Sequence, residues 1–137
     1  MEALTSLKLP ATLENLESWM RAVSGCARGL GFDPKRISEM ELALEEALVN
    51  ICSYSYPAGH GEAEIICKAD DHDLVVEVID SGIPFDMTGL PDPDTTADVS
   101  ERRIGGLGIF LAKKMANEVH YRREGDRNIL NLVFRKG

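Results

Sequence analysis

Apolar residues recur along this chain with two different periods, and the places where the period changes mark out its elements. Leu13, Leu16, Trp19, Met20, Val23, Ala27 and Leu30 are spaced by three and four, which lines one face of a helix. Thr12 is its expected N-cap, and Gly29 and Gly31 close it. A second helix opens at Asp33-Pro34, where a capping side chain precedes a proline whose missing N–H goes unmissed in the first turn. It is predicted to run to about Tyr54, with Pro57, Gly59 and Gly61 ending it. Met40, Leu44, Ala47, Leu48 and Ile51 form its core stripe, while Leu42 and Val49 lie off that stripe and could meet a second layer or a partner.

Elsewhere the period falls to two. Residues 6–11 alternate Leu7 and Leu9 with Ser6 and Lys8, as in an edge strand that Pro10 stops. Between residues 62 and 80, Ala63, Ile65, Cys67 and Ala69 form one alternating set, and Leu74, Val76 and Val78 form a second after the turn at residues 70–73. This predicts an antiparallel hairpin. Two final strands, 118–123 and 128–135, are joined by a turn containing Gly125-Asp126. Residues 87–104 show no clear periodicity, and an irregular stretch of that length is usually a functional lid or disordered. Gly105-Gly106-Leu107-Gly108 then leads into a helix with Ile109, Leu111, Ala112, Met115 and Ala116 at helical spacing.

Composition narrows the class. A chain of 137 residues, 44% of them hydrophobic, is long enough to bury a real core as one domain. No apolar run is long enough for a membrane span, and MEALTSLKLP lacks the basic region and apolar segment of a secretory signal, so a cytoplasmic location is expected. Cys26, Cys52 and Cys67 read as reduced core thiols, and the scattered His60, His72 and His120 give a zinc site little support. The formal net charge of -8 argues against nucleic acid or an anionic membrane as the main partner. A phosphate ligand would need local help from a divalent metal, a helix N-terminus, or cations such as Arg102 and Arg103.

Three features carry candidate chemistry. Glu46 and Asn50 lie one helical turn apart and project side by side at the edge of the core, where they could serve a metal-phosphate group or remain solvated polar residues. Asp80 continues the inward set of its strand, so its carboxylate needs a buried donor or a ligand. The glycines before Ile109 let main-chain amides approach an anion.

The order and spacing of these features resemble the GHKL superfamily of ATP-binding domains, shared by histidine kinases and gyrase. Within it the match is best to the small anti-sigma-factor serine/threonine protein kinases. EEALVNICSYSYP is similar to the N box, DSGIPFD to the first glycine box and RRIGGLGIFLAKKM to the second. The resemblance implies an α/β two-layer sandwich, a mixed and mostly antiparallel sheet with helices on one face, spanning residues 1–137 as a single ATPase domain with its lid at about 87–104. It implies ATP and Mg2+ as cofactors, with Asn50 as the metal ligand and Glu46 orienting or deprotonating a serine or threonine hydroxyl. Asp80 would accept from the adenine amino group, Gly82 would leave room for the ring, and Ile83 and Phe85 would wall it. Arg103 and Gly105, Gly106, Leu107 and Gly108 would hold phosphates, and Asn128 stands where the family often places a threonine near the adenine. Two further departures are Pro84 in place of a glycine and Ser53-Tyr54 where many relatives carry a basic residue or histidine. The implied activity is anti-sigma regulation by phosphorylation of an anti-sigma-factor antagonist and sequestration of a sigma factor, in a homodimer. The alternative is an ATP-binding module that sequesters a partner without phosphotransfer; a third reading is the detached catalytic domain of a histidine kinase.

Overall fold

Two hairpins and one added strand account for the sheet. The computed structural model describes residues 2–89 and 109–136. In chain order these form β1 (Glu2–Pro10), α1 (Leu16–Gly29), α2 (Pro34–Asn50), β2 (Glu62–Ala69), β3 (Asp73–Asp80), α3 (Phe110–Met115), β4 (Glu118–Glu124) and β5 (Arg127–Arg135). The hairpins β2–β3 and β4–β5 lie side by side through β3 and β5, and β1 pairs outside β2, giving the order β1-β2-β3-β5-β4. The sheet expected to be mostly antiparallel is antiparallel at every pairing of the described strands, because each hairpin folds back on itself and the two meet head to tail.

Several boundaries differ from expectation for identifiable reasons. β1 starts at Glu2 rather than at residue 6, since Glu2 and Ala3 continue the pairing with Ala69 and Lys68. Thr12 has the extended backbone of an N-cap but makes no capping bond. Instead the Asn15 amide donates to Pro10 O at 2.9 Å and to Thr12 Oγ1 at 3.2 Å, and a 3-10 turn over Leu13–Asn15 precedes α1. Leu13 therefore falls off the buried stripe and is exposed. α2 begins as its sequence dictates, with Asp33 Oδ1 accepting from Arg36 N at 2.8 Å. Past Asn50 the chain continues as a wider π-helical turn, Ile51–Ser55. At the other hairpin Gly125 takes φ +62, the left-handed conformation that glycine tolerates best.

Helices cover one face of the sheet. Trp19, Val23 and Ala27 of α1 and Met40, Leu44, Ala47 and Leu48 of α2 pack over Ile65, Cys67, Val76, Val78, Leu130, Leu132 and Phe134. Fully burying each large side chain stabilises the fold by about 1.5–3 kcal/mol. All three cysteines are free, and burial together with the neighbouring Cys26 thiol pushes Cys67 up to about 12. The opposite face mixes apolar and charged residues: Ile79, Ile129 and Val133 are buried there, and beside them Glu77 accepts from Lys68 at 2.9 Å and has Arg122 3.9 Å away. Among the described residues no helix is long and apolar enough to cross a membrane.

α3 lies against α2 and is held by it at both ends. Glu46 accepts from the Ala112 amide in its first turn, and the Arg36 guanidinium donates to the Met115 carbonyl in its last. Arg36 also donates to Asn117 Oδ1 at 2.6 Å, pairs with Glu39 at 3.1 Å and stacks 5.3 Å from the Phe134 ring. A carboxylate at the helix start and a guanidinium at its end both match the direction of the helix dipole.

Candidate functional site

The site is organised by the last turns of α2 and the wide turn that follows. Over about 13 Å of helix, Glu46 faces α3, Asn50 faces the chain after β3, and Ser55 faces the turn at the end of β3. The Ser55 carbonyl accepts from Ile83 N at 2.9 Å. A Cβ on Gly82 would lie 2.2 Å from that carbonyl oxygen, so only glycine lets the two backbones approach this closely. Single π turns shift one residue out of the ordinary helical register, and here the shift delivers Ser55 to Gly82.

Register across the sheet sets the next layer. Leu9, Ala63, Asp80, Asn128 and Arg123 are successive cross-strand partners, so their side chains share the helix-covered face. Asp80 is 3% exposed and Asn128 4%. Asp80 Oδ1 accepts from Gly82 N at 2.9 Å and from Asn128 Nδ2 at 3.0 Å. The buried Ser55 hydroxyl, with no other partner, lies beside the same carboxylate. Burial pushes the Asp80 pKa upward, against the opposing pull of Asn128, the Gly82 amide, Ser55 and the Arg123 charge. Arg123 donates to the Gly82 carbonyl at 2.8 Å and ties the turn to β4. On the other side Tyr56 accepts from Ser81 N at 2.8 Å and donates to the Glu62 carbonyl. Gly61 makes room for that ring, since a Cβ there would sit 2.1 Å from it.

The other end is more open. Glu46 and Asn50 both line a groove of about 330 Å³ with Leu42, Glu45, Val49 and Leu111. Leu42 and Val49, which fall off the core stripe of α2, are thus groove wall. Burial raises the Glu46 pKa, and the amides of Ala112 and Leu111 only partly offset it. Asn50 is buried, and its amide nitrogen lies 3.8 Å from the Met87 sulfur. Met87 opens a single 3-10 turn, Met87–Gly89.

Of the residues singled out in the sequence, Asp80, Gly82, Ile83, Phe85 and Asn128 are brought together by the end of β3, the turn after it and β5. Ile83 is exposed and Phe85 half-buried against the core. Glu46 and Asn50 meet in the groove beside α3. Arg102, Arg103, Gly105, Gly106, Leu107 and Gly108, and the lid beyond Gly89, lie outside the described residues. Sequence reasoning missed Tyr121, Arg123, Ser55 and Arg36. Tyr121 and Arg123 had a signal, since both fall on the inward set of β4 once Gly125-Asp126 fixes the hairpin register. Arg36 had none, because its partners are about eighty positions away in the chain.

The chain is similar to known proteins along most of its length. Serine-protein kinase RsbW of Bacillus cereus (strain AH820) is 26% identical over 132 residues, which is 93% of this chain and 82% of that protein, and the same figures hold for serine-protein kinase RsbW of Bacillus anthracis. The crystal structure of the RsbU and RsbW domains of Rv1364c from Mycobacterium tuberculosis matches 96% of this chain with a TM-score of 0.66 at 15% identity, a likeness of fold. This chain spans about a third, 32%, of that one. Residues 9–134, which hold every feature of the site from the wide turn after α2 to β5, match the histidine kinase-like ATPase domain, and the chain belongs to that family.

Proposed function

We propose that this chain is a single ATP- and magnesium-dependent kinase domain that phosphorylates serine or threonine and acts as an anti-sigma regulator. Its substrate is an anti-sigma-factor antagonist, and it holds a sigma factor, as a homodimer, when that antagonist is phosphorylated. The observation that carries the reading is that one helix end brings a half-buried acid, a buried amide and the Asp80–Gly82 turn into line. The similarity to serine-protein kinases supports it.

The residues present suit a bound purine nucleotide. Asp80 offers a buried acceptor, Gly82 lets the turn that carries it close against the Ser55 carbonyl rather than leaving room for the ring, and Ile83 and Phe85 supply apolar surface. Among the described residues no group of three acidic, histidine or cysteine side chains could cage a metal. Asn50 would offer one neutral oxygen to a magnesium ion brought in with the nucleotide, which would neutralise phosphate charge there. When bound, ATP supplies the γ-phosphoryl group. Glu46, made more basic by burial, takes the proton of the serine or threonine hydroxyl as that oxygen bonds to phosphorus and ADP leaves. Arg103, Gly105, Gly106, Leu107 and Gly108, outside the described residues, hold the phosphates in this reading, under a lid at about 87–104.

One observation favours the rival, an ATP-dependent module that sequesters its partner without transfer: Glu46 already serves as a cap for α3, a role that needs no chemistry. Labelled ATP, magnesium and a candidate antagonist separate the two. Glu46→Ala is expected to lower phosphate transfer about 10²–10⁴-fold while keeping the thermal shift that ATP produces. Binding by the unaltered chain without transfer to any antagonist supports the module, and absence of ATP binding overturns both. An acid-labile phosphate on another chain's histidine supports the histidine-kinase reading.

A further inference from the structure

The side chain of Asn128 has two N–H groups and two acceptor positions, and the protein itself occupies all four. Its nitrogen donates to Asp80 Oδ1 at 3.0 Å and to the Ile83 carbonyl at 2.8 Å. Its oxygen accepts from the Tyr121 hydroxyl at 2.6 Å and from Phe85 N at 3.3 Å. Two of these partners have fixed polarity, since a backbone carbonyl only accepts and a backbone N–H only donates. They set the amide one way round. Tyr121 must then donate to the Asn128 oxygen, and Asp80 Oδ1 must accept from its nitrogen.

The consequence passes to the carboxylate. Oδ1, already bonded to Gly82 N, takes a second N–H from Asn128, and N–H donors on a carboxyl group favour its ionised form, which can only accept. Burial alone would favour the protonated acid, which can donate. We infer that Asn128, oriented by Tyr121, is a positioning residue that holds Asp80 as an acceptor and thereby sets the preference for a base carrying an exocyclic amine. Asn128, which stands where the resemblance places a residue near the adenine, acts on the base through Asp80 in this reading, since its own four hydrogen-bonding positions are occupied within the protein. This inference rests on the proposed ATP site and specifies how it selects its base.

The test compares ATP with purine riboside triphosphate, which lacks the 6-amino group but keeps every ring nitrogen. Affinities are measured with magnesium for the unaltered chain, Asn128→Ala and Tyr121→Phe. Asn128→Ala, which also frees the Ile83 and Phe85 backbone, is expected to weaken both nucleotides but ATP about tenfold more than the analogue, the difference being one charge-assisted hydrogen bond made only by the amine. Tyr121→Phe, which removes a single oxygen, is expected to act in the same direction and less, and carries the test if Asn128→Ala does not fold. Equal losses for both nucleotides would mean a general structural role or a ring contact and would overturn the inference, as would unchanged affinity for ATP. An unaltered chain that binds ATP no better than the analogue overturns the Asp80 contact itself, a failure distinguishable from that of Asn128.

Discussion

The two ends of this site differ in how completely they are sealed. Asp80, Asn128 and Ser55 are almost fully buried, and Asn128 is hydrogen-bonded at every position it has, with Ile83 exposed only at the edge of the turn. Around Glu46 the acid is half-buried, an apolar groove is open beside it and Leu42 is exposed at its rim. A buried polar network must be complete, because an unpaired group in low dielectric is costly. An open groove has no such demand, since water finishes what the protein leaves undone. Under the proposed reading the sealed end recognises a small rigid base, and the open end admits a segment of another protein.

That contrast predicts unequal tolerance to change. The largest effect is expected from Gly82→Ala at the sealed end. The new Cβ would meet the Ser55 backbone carbonyl, which cannot rotate aside, so stability should fall by about 3 kcal/mol and the thermal shift with ATP should vanish. A Gly82→Ala variant that melts and binds like the parent would show that the turn is not tightly held.

Asp80→Asn comes next, and it separates recognition from stability. Because burial raises the Asp80 pKa, its carboxyl favours the folded state most below the ordinary aspartate range, and that contribution is lost as pH rises through the raised folded value. At pH 7 the asparagine variant is therefore expected to melt no lower than the parent, while its ATP affinity falls about tenfold. Its relative stability should shrink as pH is lowered through the raised value. Thermal melts across pH check the sign, and a variant less stable than the parent at pH 7 would contradict it.

The smallest effect belongs to the open end. Leu42→Ser should change stability by less than about 0.5 kcal/mol and leave ATP binding intact, yet raise the KM for a protein substrate in the transfer assay. Unchanged KM would sever the groove from substrate docking.

Much of this arrangement is written in the sequence, in its local signals. Asp33-Pro34 marks the start of α2 because a cap and a first-turn proline act within one turn. The inward aim of Asp80 follows from a period of two, and Gly125 marks its hairpin because few residues accept that φ. Local signals also mislead, as at Thr12, whose hydroxyl accepts from the Asn15 side-chain amide instead of from a backbone N–H of the helix.

What the sequence determined by itself was therefore which residues lie on which face, and which family of chemistry they serve. Only the tertiary structure decided that Ser55 meets Gly82, that Arg36 and Glu46 grip opposite ends of α3, and that Tyr121 and Asn128 fix the polarity of Asp80. These contacts join segments far apart in the chain, and they depend on the β3–β5 register and on one widened helical turn. Periodicity gives the direction a side chain points; what it meets there is settled by how distant segments pack.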